Sequence, residues 1–254
     1  MHRVRLTLIL LCLAVFRTGV RGQSAPADPP PLWDTQFGAS FVGNSGNSDT
    51  TTIGGDFSMH RRWPLWQITS TATALRTADR GVRTAERYVG TVRAQRQRTA
   101  IISISAGERA ERDQLAGMDF RSILDAGVGY AIVAHPRWTL DGLTALAWNH
   151  ERPVVGKASD DPVGVLQLLS RIPFTTAADC TQRFTFYPDF SNSHAYRAEA
   201  ELTAQAAMTR RLGLKLGYLW RFSNAPVPGF VKSDNTVTAS VVLRWAAATP
   251  APVF

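Results

Sequence analysis

Tyr196-Arg197-Ala198-Glu199-Ala200-Glu201-Leu202-Thr203-Ala204-Gln205-Ala206-Ala207-Met208 decides the fold, because two periodicities compete in it. Its alanine and glutamate content favours a helix on intrinsic propensity. Its polarity alternates instead: every even position from Tyr196 to Met208 is apolar, and of the odd positions only Ala207 is. A period of two puts successive side chains on opposite faces of an extended chain, so the stretch reads as a strand. The next segment repeats the pattern, with Leu212, Leu214, Leu216, Tyr218 and Trp220 opposing Gly213, Lys215, Gly217, Leu219 and Arg221. The last segment does so again, Val237, Ala239, Val241, Leu243 and Trp245 opposing Thr238, Ser240, Val242 and Arg244.

Carried toward the N-terminus, the same template predicts strands near residues 35–43, 50–60, 65–76, 85–97, 100–109, 120–133, 138–151, 162–172 and 181–188. With the three above, the expectation is an all-β chain forming a closed antiparallel transmembrane β-barrel of about 12 strands. The connections support it by alternating in character. On the side of the termini they are short: Arg61-Arg62-Trp63-Pro64, Arg98-Thr99, His135-Pro136-Arg137 and Arg210-Arg211, with Pro173 to Asp179 a longer exception. On the other side most are longer and rich in Gly, Pro, Asn and Asp: Asp113 to Asp119, Pro153 to Asp161, Pro188 to Ala195 and Ser223 to Asp234. Short turns on one side and long loops on the other are the asymmetry of outer-membrane barrels.

Alternation does not say which face meets lipid, since a soluble ligand-binding barrel shows the same period with its apolar face inward. Size favours the membrane reading, because about eight strands suffice for a soluble ligand barrel and aliphatic side chains cannot fill a lumen of twelve. With the apolar face outward, the lumen carries Asp56, Arg93, Arg121, Asp125, Glu199, Glu201, Lys215, Arg221 and Arg244, a mixture of both signs able to pair across the interior. Trp33, Trp63, Trp66, Trp138, Trp148, Trp220 and Trp245 fall at or near predicted strand ends, where an aromatic girdle would sit.

Composition narrows the classes further. With 44% hydrophobic and 19% charged residues the chain has too much burial capacity for a disordered protein. The longest apolar run, Leu6 to Phe16, is too short for a spanning helix, which needs roughly 20 residues. Preceded by Arg3 and Arg5 and followed by the small residues Gly22, Ala25 and Ala27, it reads as a signal peptide over 1–27, cleaved somewhere in 22–27. A proline-rich lead closes at 28–32, the barrel occupies 33–245, and Pro250 and Pro252 mark 246–254 as a tail. Removal of 1–27 takes four arginines and no acids, lowering the net charge from +8 to +4, and no long basic run points to a nucleic-acid partner. Cys12 is expected to leave with the signal, after which Cys180 is the one cysteine of the mature chain and no intrachain disulfide is expected.

The motifs of chemistry are thin. His60, His135, His150 and His194 lack the close spacing of a metal motif, and no metal or cofactor is expected. Gly127-Val128-Gly129 lacks the third glycine of a dinucleotide site and reads as small residues in a wall. A barrel enzyme would draw an acid/base pair from His150 with Glu151 or from His60 with Asp56, but nothing supplies a nucleophile, so a non-enzyme is the expectation. Asn44-Ser45-Gly46-Asn47-Ser48-Asp49 has the composition of a tight turn with positive φ at Gly46 or Asn47.

From Trp33 the chain runs Trp-Asp-Thr-Gln-Phe-Gly-Ala-Ser-Phe-Val-Gly-Asn-Ser-Gly-Asn-Ser-Asp-Thr, which resembles the opening strand and turn of the YdiY-like family of salt-induced outer-membrane proteins, domain of unknown function 481. The Arg87-Tyr88 strand, the Glu111-Arg112-Asp113 loop, the Asp125-Ala126-Gly127-Val128-Gly129-Tyr130 strand and the Val227-Pro228-Gly229…Lys232-Ser233-Asp234 loop are similar to family features in the same order. The resemblance implies a barrel of the cell outer membrane and transfers no catalytic or ligand residues. Such barrels commonly end on an aromatic residue, a place that Trp245 or Phe254 would take here. The expected role is a porin-like narrow passive pore or an envelope-stabilising element. Its expected partners are outer-membrane lipid and the outer-membrane barrel assembly machinery, and it is expected to be a monomer. The alternative is a soluble periplasmic barrel binding an apolar ligand, with the Leu212 to Trp220 face inward.

Overall fold

The structure, a computed structural model, describes residues 32–44, 50–113 and 117–246. The expected signal peptide, most of the proline-rich lead, the centre of the Asn44 to Asp49 turn and the tail beyond Ala246 lie outside the described residues. Twelve strands follow in order: β1 (Trp33–Asn44), β2 (Thr50–Arg62), β3 (Trp66–Asp79), β4 (Val82–Gln97), β5 (Ile102–Asp113), β6 (Met118–His135), β7 (Trp138–Pro153), β8 (Ser159–Pro173), β9 (Ala178–Tyr187), β10 (Arg197–Ala207), β11 (Leu212–Ser223) and β12 (Ser233–Ala246). Each pairs antiparallel with the next, and β1 pairs with β12 from Asp34↔Ala246 to Ala39↔Val241, closing the ring. The chain is therefore an up-and-down barrel of the expected class, and closure removes both sheet edges. The Tyr196 to Met208 stretch forms a strand as its alternation requires, from Arg197 to Ala207.

Trp33 and Ala246 share one rim, called here the terminal rim. Its connections are 63–65, 98–101, 136–137, 174–177 and 208–211, none longer than four residues. Pro173 and Asp179, expected to flank a longer loop, are paired with each other at strand ends, which shortens that connection to 174–177. At the far rim the asymmetry rests mainly on 188–196 and 224–232, nine residues each, while β3 and β4 are joined by Arg80-Gly81 alone. Both of those residues have positive φ, 48° and 78°, which matches the right-handed twist of a two-residue hairpin turn. The Asp113 to Asp119 loop also shrinks, because β5 runs on to Asp113 and β6 begins at Met118.

The wall is apolar outside. Phe41, Leu146 and Val237 are 70%, 72% and 76% exposed, and Ile104, Leu124, Leu166, Leu168, Phe184, Leu214 and Leu216 are exposed with them. Residues between these in sequence turn inward: Lys215, between Leu214 and Leu216, meets Asp56 of β2. An inward Leu212 to Trp220 face, which the soluble alternative needs, is the reverse of this arrangement. An apolar band around the whole circumference far exceeds the patches that soluble monomers expose, and hydrocarbon surrounds it without cost. One inner sector, formed by Ile123, Leu143, Ala145, Ala147, Val163, Val165 and Tyr187, is apolar and buried, filling the lumen along β6 to β9.

Leu146 lies midway along β7 on the outer face. Leu146→Arg is expected to cost about 2–4 kcal/mol, the depth-dependent penalty for arginine at a bilayer midplane. Denaturant unfolding in phosphatidylcholine vesicles measures it, with the inward Thr203→Arg as the milder comparison.

Candidate functional site

The inward side chains of β5 continue its alternation as Arg109, Glu111 and Asp113, and all three charges end in the lumen near the far rim. Glu111 is the hub, its side chain 4% exposed. Arg87 of β4 donates to it at 3.0 Å, Arg109 approaches at 3.3 Å, Arg221 of β11 at 3.5 Å and Arg121 of β6 at 4.0 Å. Two of these arginines carry the network across the barrel. Arg109 donates to Glu199 of β10 at 3.0 Å, and Arg221 donates to Asp113 at 2.8 Å. β5 and β11 stand six places apart in a ring of twelve, so the second contact joins opposite walls.

The network continues sideways. Arg121 Nη2 lies 2.8 Å from Glu151 of β7, Arg197 of β10 reaches Asn149 at 3.3 Å and Glu151 at 3.9 Å, and Arg221 also faces Asp234 of β12 at 3.6 Å. The Arg197 guanidinium lies over the Tyr187 ring, 5.2 Å from its centroid. Arg87, Arg109, Arg121, Arg197 and Arg221 balance Glu111, Asp113, Glu151, Glu199 and Asp234, five charges of each sign. Far from water such groups persist only in pairs, and a balanced set satisfies that without a bound ion. Between the network and Pro226, Val227 and Lys232 of the 224–232 connection lies a cavity of about 90 Å³. That connection reaches the opposite side of the mouth: a Cβ on Gly117, whose φ is 85°, would stand 2.9 Å from the Phe230 ring.

All nine side chains expected in the lumen occupy inward positions. Arg121, Glu199 and Arg221 belong to the network. Arg93 grips Asp125 with two donors at 2.8 and 2.6 Å. Lys215 reaches Asp56 across β12 and β1, passing where Gly38 has no side chain: a Cβ there would stand 2.2 Å from an Asp56 oxygen. Glu201 pairs with Arg183 at 2.9 Å, and Arg244 lies 3.1 Å from the Gln36 amide. Sequence reasoning missed Arg87, Arg109, Glu111, Asp113, Glu151, Arg197 and Asp234 as interior groups. Charges at Glu108, Arg109, Glu111, Arg112 and Asp113 interrupt the alternation there and made the end of β5 read as a loop. Arg197 carried a usable signal, since it shares the odd face of Glu199 and Glu201.

Trp33, Trp63, Trp66, Trp138 and Trp245 stand at the terminal rim, Trp148 and Trp220 at the far rim. Six are exposed, while Trp220 stacks on Phe222 at 6.0 Å and donates to Ser233 at 2.9 Å. The two acid/base pairs considered from the sequence do not form. His150 faces outward, its Nδ1 2.9 Å from Asp160, while Glu151 points inward to Arg121. His60 contacts Thr69 at 3.1 Å and lies four residues from Asp56, about 13 Å along an extended strand. His135 and His194 sit at a turn and in the 188–196 connection. Among the described residues no group of three His, Cys, Asp or Glu side chains could hold a metal ion.

A family model described as "Protein of unknown function, DUF481" matches residues 37–245, the span of the barrel wall. The chain belongs to the DUF481 family. No curated protein matches it. Among solved structures, this DUF481 barrel is similar to an outer-membrane channel from Pseudomonas putida F1 at 12% identity, covering 89% of this chain and 100% of that one with a TM-score of 0.50. It is also similar to the NanC porin, at 12% identity, 85% and 100% coverage and a TM-score of 0.48. A third is the KdgM porin in complex with disordered oligogalacturonate, at 8% identity, 85% and 100% coverage and a TM-score of 0.44. At 12% identity the likeness to the Pseudomonas putida channel extends to the fold alone.

Neutralising Glu111 leaves four arginines facing one another without their shared carboxylate. Glu111→Gln is expected to destabilise the DUF481 barrel by about 3–5 kcal/mol, the usual consequence of breaking a buried pair from one side. Glu108→Gln, on the outer face beside Ser122, is expected to cost under about 0.5 kcal/mol. Denaturant midpoints of the two variants in the same vesicles compare them directly.

Proposed function

We propose that this DUF481 barrel is an integral protein of the cell outer membrane that acts as a narrow passive channel, closed at rest by its own ion network. The observation that carries the reading is the pair of contacts Arg109 to Glu199 and Arg221 to Asp113, which bar the lumen near the far rim. Below them the interior is open to solvent: the Arg183 and Glu201 side chains are 43% and 41% exposed. A purely envelope-stabilising barrel has no need of such a vestibule. The outward apolar band and the Trp residues at both rims support the location, with the long connections 188–196 and 224–232 facing outside and the terminal rim facing the periplasm. His150 pairs with Asp160 on the outer face and His60 contacts Thr69, both outside the ion network, and the function proposed is not catalytic. The Trp33 to Thr50 resemblance supports the finer reading as a YdiY-like protein, assembled by the barrel machinery and working as a monomer.

Five charges of each sign at the constriction predict weak ion selectivity. Planar-bilayer recording tests the gate. Wild type is expected to show small, infrequent conductance steps. Arg109→Ala combined with Arg221→Ala is expected to raise single-channel conductance several-fold, whereas Arg183→Ala, below the constriction, keeps it near wild type. Silence from both wild type and the double variant would overturn the channel reading.

A further inference from the structure

The terminal rim carries charge of one sign. Arg61, Arg96, Arg98, Arg137, Arg210 and Arg211 stand on its outer face or in its turns, and no described Asp or Glu shares those positions. The acids at that height, Asp34, Asp141 and Asp179, occupy inward positions of β1, β7 and β9. At the far rim three of the outward arginines have carboxylates instead: Arg83 pairs with Glu86, Arg152 with Asp119 at 2.8 Å, and Arg112 with Asp119 at 3.6 Å. The barrel therefore pairs Arg83, Arg112 and Arg152 with carboxylates at the far rim, and sets no carboxylate beside the outward arginines of the terminal rim.

The terminal-rim arginines are densest where β2, β3 and β4 end. The Arg61 guanidinium lies over Trp63 at 5.2 Å and that of Arg96 over Trp66 at 5.6 Å. Trp63 donates its backbone N–H to Trp66 O at 2.8 Å, and Gln97 donates to Leu65 O at 2.8 Å, so the 63–65 turn is held against the end of β4, next to Arg98. Arg96 projects to the apolar side, in register with the outward Ile104, and its Nε is buried with no hydrogen-bond partner. A buried donor without an acceptor is uncommon in a finished structure, and here the donor belongs to a cation with no carboxylate beside it. Ile102 and Ile104, 39% and 46% exposed, continue from this point along the outer wall.

We propose that Arg61, Arg96 and Arg98, with Trp63 and Trp66, form a site on the outer face of the barrel for the phosphodiester headgroup of an anionic phospholipid. The guanidinium forks match phosphate oxygens, and an indole ring is suited to the boundary between headgroup and acyl chain. The isoleucines below the arginines take the acyl chains, which selects a lipid over a free anion. The proposal rests on the membrane reading above.

Native mass spectrometry of the full barrel, released from micelles containing equal phosphatidylglycerol and phosphatidylcholine, tests it. Wild type is expected to retain phosphatidylglycerol several-fold over phosphatidylcholine. The combined Arg61→Gln, Arg96→Gln and Arg98→Gln chain loses that preference. The far-rim chain with Arg83→Gln, Arg112→Gln and Arg152→Gln keeps it. Arg98→Gln alone changes only an exposed turn residue and lowers the preference in part, should the triple chain not fold. Equal retention of the two lipids by wild type, or an unchanged preference in both the triple and the Arg98→Gln chains, overturns the site. Loss of the bound lipid to added inorganic phosphate makes it a site for a free anion and overturns it equally. Gel mobility of boiled and unboiled wild type separates the two readings: absence of a heat-dependent shift removes the membrane barrel itself, whereas a shift without lipid preference removes only the lipid site.

Discussion

Closure of the wall is the constraint from which the rest follows. A strand facing hydrocarbon can satisfy its backbone N–H and C=O groups only in its two neighbours, so the ring holds only if the last strand returns to the first. Here that bond is the β1 and β12 ladder, six residue pairs from Asp34↔Ala246 to Ala39↔Val241, shorter than the ladder of β1 with β2, which runs from Trp33↔Arg61 to Asn44↔Thr50. The Lys215 and Asp56 pair spans the same seam from inside, linking β11 to β2 over the two closing strands. A side-chain strap thus lies where the backbone pairing is shortest.

Closure also dictates where charge can go. With one face against an apolar surrounding, nearly every central inward position is free to be polar, and a twelve-stranded lumen needs such groups to fill it. The chain fills one sector with apolar side chains along β6 to β9 and the section near the far rim with Glu111 and its arginines. These two fillings differ in consequence. An apolar lining stays shut whatever the ionic conditions, whereas an ion network of balanced sign is held by contacts that salt, field or a competing ion can exchange. That difference is why the proposed gate is placed at Glu111 and not at Val163 or Val165.

Much of the fold is written in the alternation of the chain. Tyr196 to Met208 resists its own helix propensity because each odd position from Arg197 to Gln205 is polar, and an extended strand between water-filled and apolar sides is the one local structure that separates them. The reading weakens where polarity stops alternating. At Glu108 to Asp113 charges stand on both faces, since the outward ones lie beyond the apolar centre of the wall and the inward ones still line the lumen. Alternation therefore marks the apolar centre of a strand and is silent about its ends, which is why β5 extends beyond its expected limit and the adjoining connection is shorter.

The sequence by itself determined the strand count and the face that turns outward, because these depend on the order of polar and apolar residues along one chain. Only the tertiary structure decided which charges meet. Arg109 and Glu199 are 90 residues apart, and Arg221 and Asp113 are separated by 108. Their contact depends on the strand order and register of the closed ring, quantities that no local periodicity encodes. The division of the arginines is of the same kind: identical residues stand at both rims, and only the arrangement of neighbouring strands leaves Arg96 without a carboxylate while it gives Arg152 one.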